Sequence, residues 1–219
     1  MVICATIGPG GTVSRPFRHE DGMAYEVGIL AYGSLIDDPG VEISGAIVHT
    51  LKEGIVTPFK VEFARTSSGR EGAPTLVPVA RGGANVRAQI FVLNVGTEEA
   101  TNRLWRRERN IVCQVDQVYV RPAQPRKNHV LVDALKDFHA VKTVLYTRVG
   151  QNIETPTAAI LAEYAVKSAR KLRDGRDGIS YLIAARRNGI ETPLSGPYEE
   201  EIKRRTNTTN LEDALASCR

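Results

Sequence analysis

The hydrophobic pattern of the chain changes near Gly150, and that change limits the folds open to it. Before it, apolar residues alternate with polar ones or form short apolar runs, the mark of β-strands. After it, apolar residues recur at helical spacing. Strands in the first two thirds and helices in the last third predict an α+β fold and argue against a βαβ succession. The 219 residues suit one domain, or a domain with an appendage, and can bury a core.

The first strand is expected at 27–31, a short apolar run bounded by turn formers. Further strands are expected at 45–51 and 57–65. In the latter, Phe59, Val61 and Phe63 oppose Lys60 and Glu62, which reads as one buried and one solvated face. Residues 66–74, rich in Ser and Gly, form a loop. Apolar runs at 75–80 and 88–94 flank Gly82-Gly83-Ala84-Asn85, which reads as a hairpin connection. A helix is predicted over 97–109, with Thr97 as its N-cap and Glu98 and Glu99 at the positive end of its dipole. Strand-like alternation returns at 111–120 and again at 140–149. The helical part opens at Thr155-Pro156, with Pro156 in the first turn. It breaks at 174–178, resumes over 179–188 with Gly189 at its end, and resumes again over 199–205. Three segments result: an N-terminal arm at 1–26, a main domain at 27–205, and a polar tail at 206–219 expected to fray.

Hydrophobic content of 42% and charged content of 25% match a soluble globular protein. No stretch is long and apolar enough to span a membrane. The N-terminus lacks the basic, apolar, small-residue order of a secretory signal. The expectation is a cytoplasmic protein without a membrane partner. A net charge of +4 is a weak argument for a nucleic-acid partner. Arg103, Arg106, Arg107 and Arg109 read more simply as a solvated helix face, so no nucleic acid is expected. Cys4, Cys113 and Cys218 are odd in number and far apart, which fits neither a disulfide framework nor a metal site. Cys113 reads as a small core residue. The four histidines lack ligand spacing, so no metal and no cofactor are expected. The sequence leaves the oligomeric state open.

The strand at 27–31 runs into Tyr32-Gly33-Ser34-Leu35. Gly33 permits a sharp turn and close approach of another group. The backbone N–H groups after it suit an anion or an oxyanion. The plainer reading is a strand leaving into a loop. Glu108 falls on one helical face with Ala100 and Leu104, at i, i+4 spacing. A carboxylate on an apolar face needs a partner or a task. The alternative is that the helix frays and Glu108 ends a charged patch. Arg107 and Arg109 are expected to point away from it, because adjacent helical positions do not face each other. Tyr146, in a strand-like run, is a core ring or a cavity residue. Arg65, at the end of a strand, faces solvent or a polar ligand.

Several separated stretches together resemble one family, the γ-glutamylcyclotransferase-like proteins, especially their bacterial and ChaC-like branches. Tyr32-Gly33-Ser34-Leu35 is similar to that family's substrate loop. Leu104-Trp105-Arg106-Arg107-Glu108 resembles the segment ending in its catalytic glutamate. Trp105 stands where the family has aspartate, and Arg109 where many members have glycine or valine. Residues 59–79 look like its strand, arginine-containing loop and strand. Residues 88–93 resemble the next strand, 144–146 a late strand carrying a tyrosine, and 182–194 the C-terminal helix. The resemblance covers roughly 27–205. It implies a small mixed, mostly antiparallel β-barrel with surrounding helices. It implies an enzyme that turns a γ-glutamyl amide into 5-oxoproline and a free amine or amino acid, without cofactor. Glu108 would be the general acid–base, and Tyr32, Gly33, Ser34, Leu35 and Tyr146 would hold the γ-glutamyl substrate. A binding module on the same fold, or a nucleic-acid binder using the helix arginines, are the alternatives.

Overall fold

A computed structural model describes residues 25–219. Most of the segment expected as an N-terminal arm therefore lies outside the described residues. The chain order is β1 (Tyr25–Ala31), α1 (Ser34–Asp37), α2 (Val41–Ser44), β2 (Ile47–Leu51), β3 (Val61–Ser67), a 3₁₀ turn (Ser68–Arg70), β4 (Ala73–Pro78), β5 (Gln89–Leu93) and α3 (Thr97–Glu108). Then follow β6 (Leu131–Phe138), β7 (Val141–Arg148), α4 (Ala158–Ala169), α5 (Gly178–Arg187), α6 (Ser195–Thr206) and α7 (Leu211–Ser217). The fold is α+β. No helix among the described residues is long and apolar enough to cross a membrane.

The expected barrel is not closed. Five strands form an open mixed sheet in the order β2-β5-β1-β7-β6, and β3 and β4 form a separate antiparallel pair. β1 pairs antiparallel with β5 and parallel with β7. β2 and β6 lie at opposite edges and do not meet. The glycines at 82 and 83 do not close a hairpin between neighbouring strands. They lie on the crossover from β4, in the small pair, to β5, in the main sheet. The Val61 N–H donates to the Ala84 carbonyl at 2.8 Å and the Ala84 N–H to the Val61 carbonyl at 3.1 Å, which holds the crossover against β3.

β1 sits at the centre of the main sheet, and both its faces are covered. Ile29 and Ala31 pack under α3 with Ala100 and Leu104, while Leu30 faces a second cluster with Ile90 and Val144. Burial on both faces explains the continuous apolar run of this strand. A third cluster joins the β3–β4 pair to the C-terminal helices, with Phe63, Leu161, Leu182 and Tyr198 at its centre. Residues 211–217, expected to fray, form α7 instead, and Leu211 and Ala214 are buried in that cluster. Asn210 caps α7 by accepting the Asp213 N–H at 2.7 Å.

Several local expectations change. The N-cap of α3 is Gly96, not Thr97, and no side chain caps it. α4 starts two residues beyond Pro156, where the Thr157 side chain accepts the Ile160 N–H. α5 is capped by Asp177, which accepts the Ile179 and Ser180 N–H groups at 2.9 Å. Its end does carry a left-handed Gly189, at φ 67°. Residues 111–120 alternate in sequence but form no strand. Their N–H groups are taken by side chains and turns: Cys113 donates to Glu42 Oε2 at 3.0 Å and Tyr119 to Asn102 Oδ1 at 2.8 Å, while Ile111, Gln114 and Gln117 donate to nearby backbone carbonyls. Cys113 is not a strand core residue. It has φ 68° and is disulfide-bonded, against the expectation of no disulfide.

Two charged residues are buried where solvation was expected. Glu62 is 4% exposed. It accepts the Phe63 N–H at 2.9 Å, the Thr192 hydroxyl at 2.5 Å and the Leu194 N–H at 3.3 Å, so it ties β3 to the start of α6. Arg106 is 1% exposed and is the largest fully buried side chain. Its NH2 lies 2.6 Å from Glu42 Oε1, and its NH1 donates to the Gln117 carbonyl at 3.1 Å. Arg103, Arg106 and Arg107 are thus not a solvated face, whereas Arg109, just past α3, is exposed. Arg103 also pairs with Glu99, at 2.7 Å.

Candidate functional site

β1 delivers Tyr32 to the C-terminal end of the central strand of the main sheet. Gly33 then turns the chain at φ 60°, ψ −139°, a conformation open in practice to glycine alone, and α1 begins at Ser34. α3 runs alongside β1, anchored by Ala100 and Leu104, and its last residue is Glu108. The helix therefore does not fray before Glu108. Asn110, at φ 55°, turns the chain away just beyond it.

These two ends meet at a cavity of about 340 Å³, within the range of a small-molecule site. Tyr32, Ser34, Leu35 and Glu108 line it together. Gly33 makes the turn between them without lining it. Tyr146 does not line it either. Its ring stacks on Phe59 at 4.7 Å, and Phe59 meets the Tyr32 ring edge-on at 5.8 Å. Tyr146 thus supports the cavity wall from one layer behind. β7 contributes Thr147 instead, whose carbonyl accepts the Tyr32 hydroxyl at 3.3 Å.

Arg107 is the joint between the two ends. Its Nε and NH2 donate to the Asp38 carbonyl at 2.9 and 2.6 Å, its NH2 to Ser34 Oγ at 3.3 Å, and its NH1 to Glu108 Oε1 at 2.6 Å. It does not point away from Glu108 as helix geometry suggested. At the last turn of a helix a long side chain can fold back along the axis and reach its neighbour. Glu108 Oε2 has no hydrogen bond among the described residues, and the side chain is 24% exposed.

The opposite wall comes from the β3–β4 pair and α5. Arg65 lines the cavity, but its guanidinium is tied to the Gly150 carbonyl at 2.6 Å and Asn128 Oδ1 at 3.1 Å. Arg70 leans over the Tyr181 ring, 5.0 Å from its centroid. Burial pushes the Arg70 guanidinium below its ordinary value, and that of Arg65 as well. The lining holds five arginines, at 65, 70, 107, 109 and 176, against two acids, Asp38 and Glu108. Arg65, Arg70 and Arg109 have no carboxylate partner among the described residues. The lining therefore carries a net positive charge, which attracts negative groups.

Burial raises the phenol of Tyr32 well above its usual range, and the neighbouring Glu108 charge adds to this. Tyr32 is a neutral hydroxyl at any physiological pH. Arg70, Arg107 and Tyr181 escaped the sequence reading as site residues. Arg70 sits in the Ser- and Gly-rich loop, where an arginine reads as solvated. Tyr181 is on a helix face that is apolar for packing reasons, so its hydroxyl carried no separate signal.

A second hollow lies beside Glu62, lined also by Arg81, Gln151 and Glu154. The Glu62 oxygens there are already used to join β3 to α6.

Gly33 gives a direct test of the turn. A Cβ there would lie 2.7 Å from Tyr181 Oη, at a backbone conformation that L-residues avoid. Gly33→Ala is expected to cost about 1–3 kcal/mol of stability. Denaturant unfolding measures it, and a wild-type midpoint would mean that the turn relaxes freely.

Among solved structures, the chain is similar to a glutathione-specific γ-glutamyl cyclotransferase from yeast. The identity is 11%, the match covers 82% of this chain and 98% of that one, and the TM-score is 0.50. No family model and no curated protein matches the chain. At that identity the likeness speaks for the fold: an α+β chain with the overall arrangement of a γ-glutamyl cyclotransferase.

Proposed function

We propose that the protein is a γ-glutamylcyclotransferase-like enzyme that converts a γ-glutamyl amide to 5-oxoproline and a free amine. One observation carries this reading. The turn after β1 and the Glu108 carboxylate, 73 residues apart between Leu35 and Glu108, line one small cationic cavity. The fold of the yeast cyclotransferase supports it.

The chemistry asks little of the protein beyond placement. The α-amine of the glutamyl group attacks its own γ-carbonyl carbon, so nucleophile and electrophile belong to one molecule and need only be held folded. A C–N bond forms to close the lactam, and the amide C–N bond to the leaving group breaks. Glu108 takes a proton from the attacking nitrogen and returns it to the departing one, so it ends in its starting state. Oε2 is the oxygen free for this, since Oε1 is held by Arg107. The α-carboxylate of the substrate is met by the guanidinium groups of the lining, Arg70 foremost: only its NH1 is engaged, by the Arg176 carbonyl at 3.2 Å, whereas both terminal nitrogens of Arg65 are taken by the Gly150 carbonyl and Asn128 Oδ1. Backbone N–H groups at the Gly33 turn face the γ-carbonyl.

The Arg107–Glu108 ion pair favours a second reading, a module that binds a glutamyl-like ligand without turnover, because it occupies one carboxylate oxygen. Incubating the protein with γ-glutamyl amino acids, γ-glutamyl amines and glutathione, and measuring 5-oxoproline release, separates the two. Release from any of them is the expected result. Binding without release would favour the second reading.

A further inference from the structure

We propose that Tyr181 is a further catalytic residue of this site, donating its hydroxyl hydrogen bond to the γ-carbonyl oxygen of the substrate. The proposal rests on the cyclotransferase reading above.

Tyr32 and Tyr181 line the cavity and Tyr198 is buried away from it, and the three spend their hydroxyl protons differently. Tyr32 donates to the Thr147 carbonyl at 3.3 Å, and Tyr198 to the Gly178 carbonyl at 3.5 Å. Tyr181 is 7% exposed and lines the cavity. Its oxygen accepts the Leu76 N–H at 3.3 Å, but no group among the described residues is in place to accept its proton. Buried hydroxyls are rarely left with an unused donor. Here the donor opens onto the cavity, so the missing partner is the occupant of that cavity.

The ring cannot easily turn away. It packs edge-on against Phe63, with centroids 6.2 Å apart, and under the Arg70 guanidinium. Its oxygen sits against the Gly33 turn, close enough that a Cβ on that residue would lie 2.7 Å from it. The phenol oxygen is therefore held beside the turn that carries Ser34 and Leu35 into the cavity lining. Burial raises the Tyr181 phenol above its ordinary value, so it stays protonated as a donor. Accepting the Leu76 N–H polarises the O–H further.

The chemistry of the substrate divides the donors. Its carboxylate is charged before reaction and belongs with the arginines. Its γ-carbonyl is neutral before reaction and gains charge only as the amine attacks. A fixed neutral donor at that oxygen is worth most in the transition state. When the C–N bond forms, the carbonyl π electrons move onto oxygen and are held by the Tyr181 O–H. They return as the amide C–N bond breaks. Tyr181 keeps its proton throughout, and Glu108 carries out the proton transfer.

Tyr181→Phe removes one oxygen and keeps the ring. With a substrate turned over by the wild type, kcat is expected to fall by about 10² to 10³. KM and the affinity for 5-oxoproline should change by no more than about tenfold, the net worth of one neutral hydrogen bond. Tyr198→Phe, which also loses a buried hydroxyl but does not line the cavity, should keep wild-type kcat. An unchanged kcat in Tyr181→Phe, or a raised KM with kcat intact, overturns the proposal. The variant also deprives the Leu76 N–H of its acceptor, so a crystal structure of the wild type with 5-oxoproline is the second test. The lactam oxygen should lie about 3 Å from Tyr181 Oη. A lactam oxygen placed elsewhere overturns the proposal. Wild-type protein that releases no 5-oxoproline from any γ-glutamyl compound overturns the cyclotransferase reading, and this proposal with it. Activity in the wild type that survives in Tyr181→Phe overturns this proposal alone.

Discussion

Glu108→Gln is expected to lower turnover of a γ-glutamyl substrate by about 10² to 10⁴, the usual worth of general acid–base catalysis. The amide keeps the size of the side chain and can still accept from Arg107. What it loses is the ability to take a proton at the free Oε2 position. Ligand affinity should fall much less, because the arginines and the Gly33 turn remain. Glu98→Gln is the control. Glu98 is exposed in the first turn of the same helix, far from the cavity, and its loss should leave turnover unchanged. Steady-state kinetics and 5-oxoproline affinity on both variants decide the matter. Wild-type kcat in Glu108→Gln, with a competent substrate in hand, would remove Glu108 from the mechanism.

Glu42→Ala is expected to be the most destabilising single change outside the apolar core, by about 3–5 kcal/mol. It would strand the Arg106 guanidinium, whose side chain is 2% exposed, without its carboxylate. It would also free the Cys113 N–H, which Glu42 Oε2 accepts. Glu42→Leu with Arg106→Met should recover much of the loss, because burying two apolar groups avoids the uncompensated charge. Urea unfolding of the single and double variants measures both effects. The pair also sets an acid dependence. Burial alone would raise the Glu42 carboxyl, but hydrogen bonds from Arg106 and Cys113 and the charges of Arg106 and Arg103 hold it below its ordinary 4.5. Its folded value is thus the lower one. The stabilisation is complete above the unfolded value and is lost as pH falls through the folded one. The gap between wild type and Glu42→Ala should therefore be full at neutral pH and narrow below about pH 4.5. A gap that stays constant down to pH 3 would mean that the pair contributes through packing rather than charge.

Legibility varied with how local the cause was. The strand at 27–31, the helix ending at Glu108 and the left-handed Gly189 were readable because apolar period, dipole-matched charges and glycine chemistry act within one segment. The strand-like alternation at 111–120 misled, because Glu42 and Asn102 satisfy N–H groups that would otherwise need a ladder. β6 went unread, since Asp-Ala-Leu-Lys-Asp carries mixed spacing. It is a strand because β7 pairs with it from Leu131 to Phe138. Tyr146 was readable as a buried ring but not as a ring behind Phe59 rather than in the cavity.

The α+β division, the central apolar strand with its glycine turn, and the helix that ends in a carboxylate are all set by local sequence. Each is written in residues close together along the chain, where period and backbone freedom act directly. Only the tertiary structure decided that the main sheet stays open, since strand pairing depends on which distant edges find each other. It alone decided that Arg106 and Glu62 are buried, because a charge enters the interior only when a partner from another element meets it there. It also decided that Arg107 grips Glu108, and that Arg70 and Tyr181 stand across the cavity from them. Those residues come from three separate elements, α3, the 3₁₀ turn and α5, and no pattern along the chain announces that they meet.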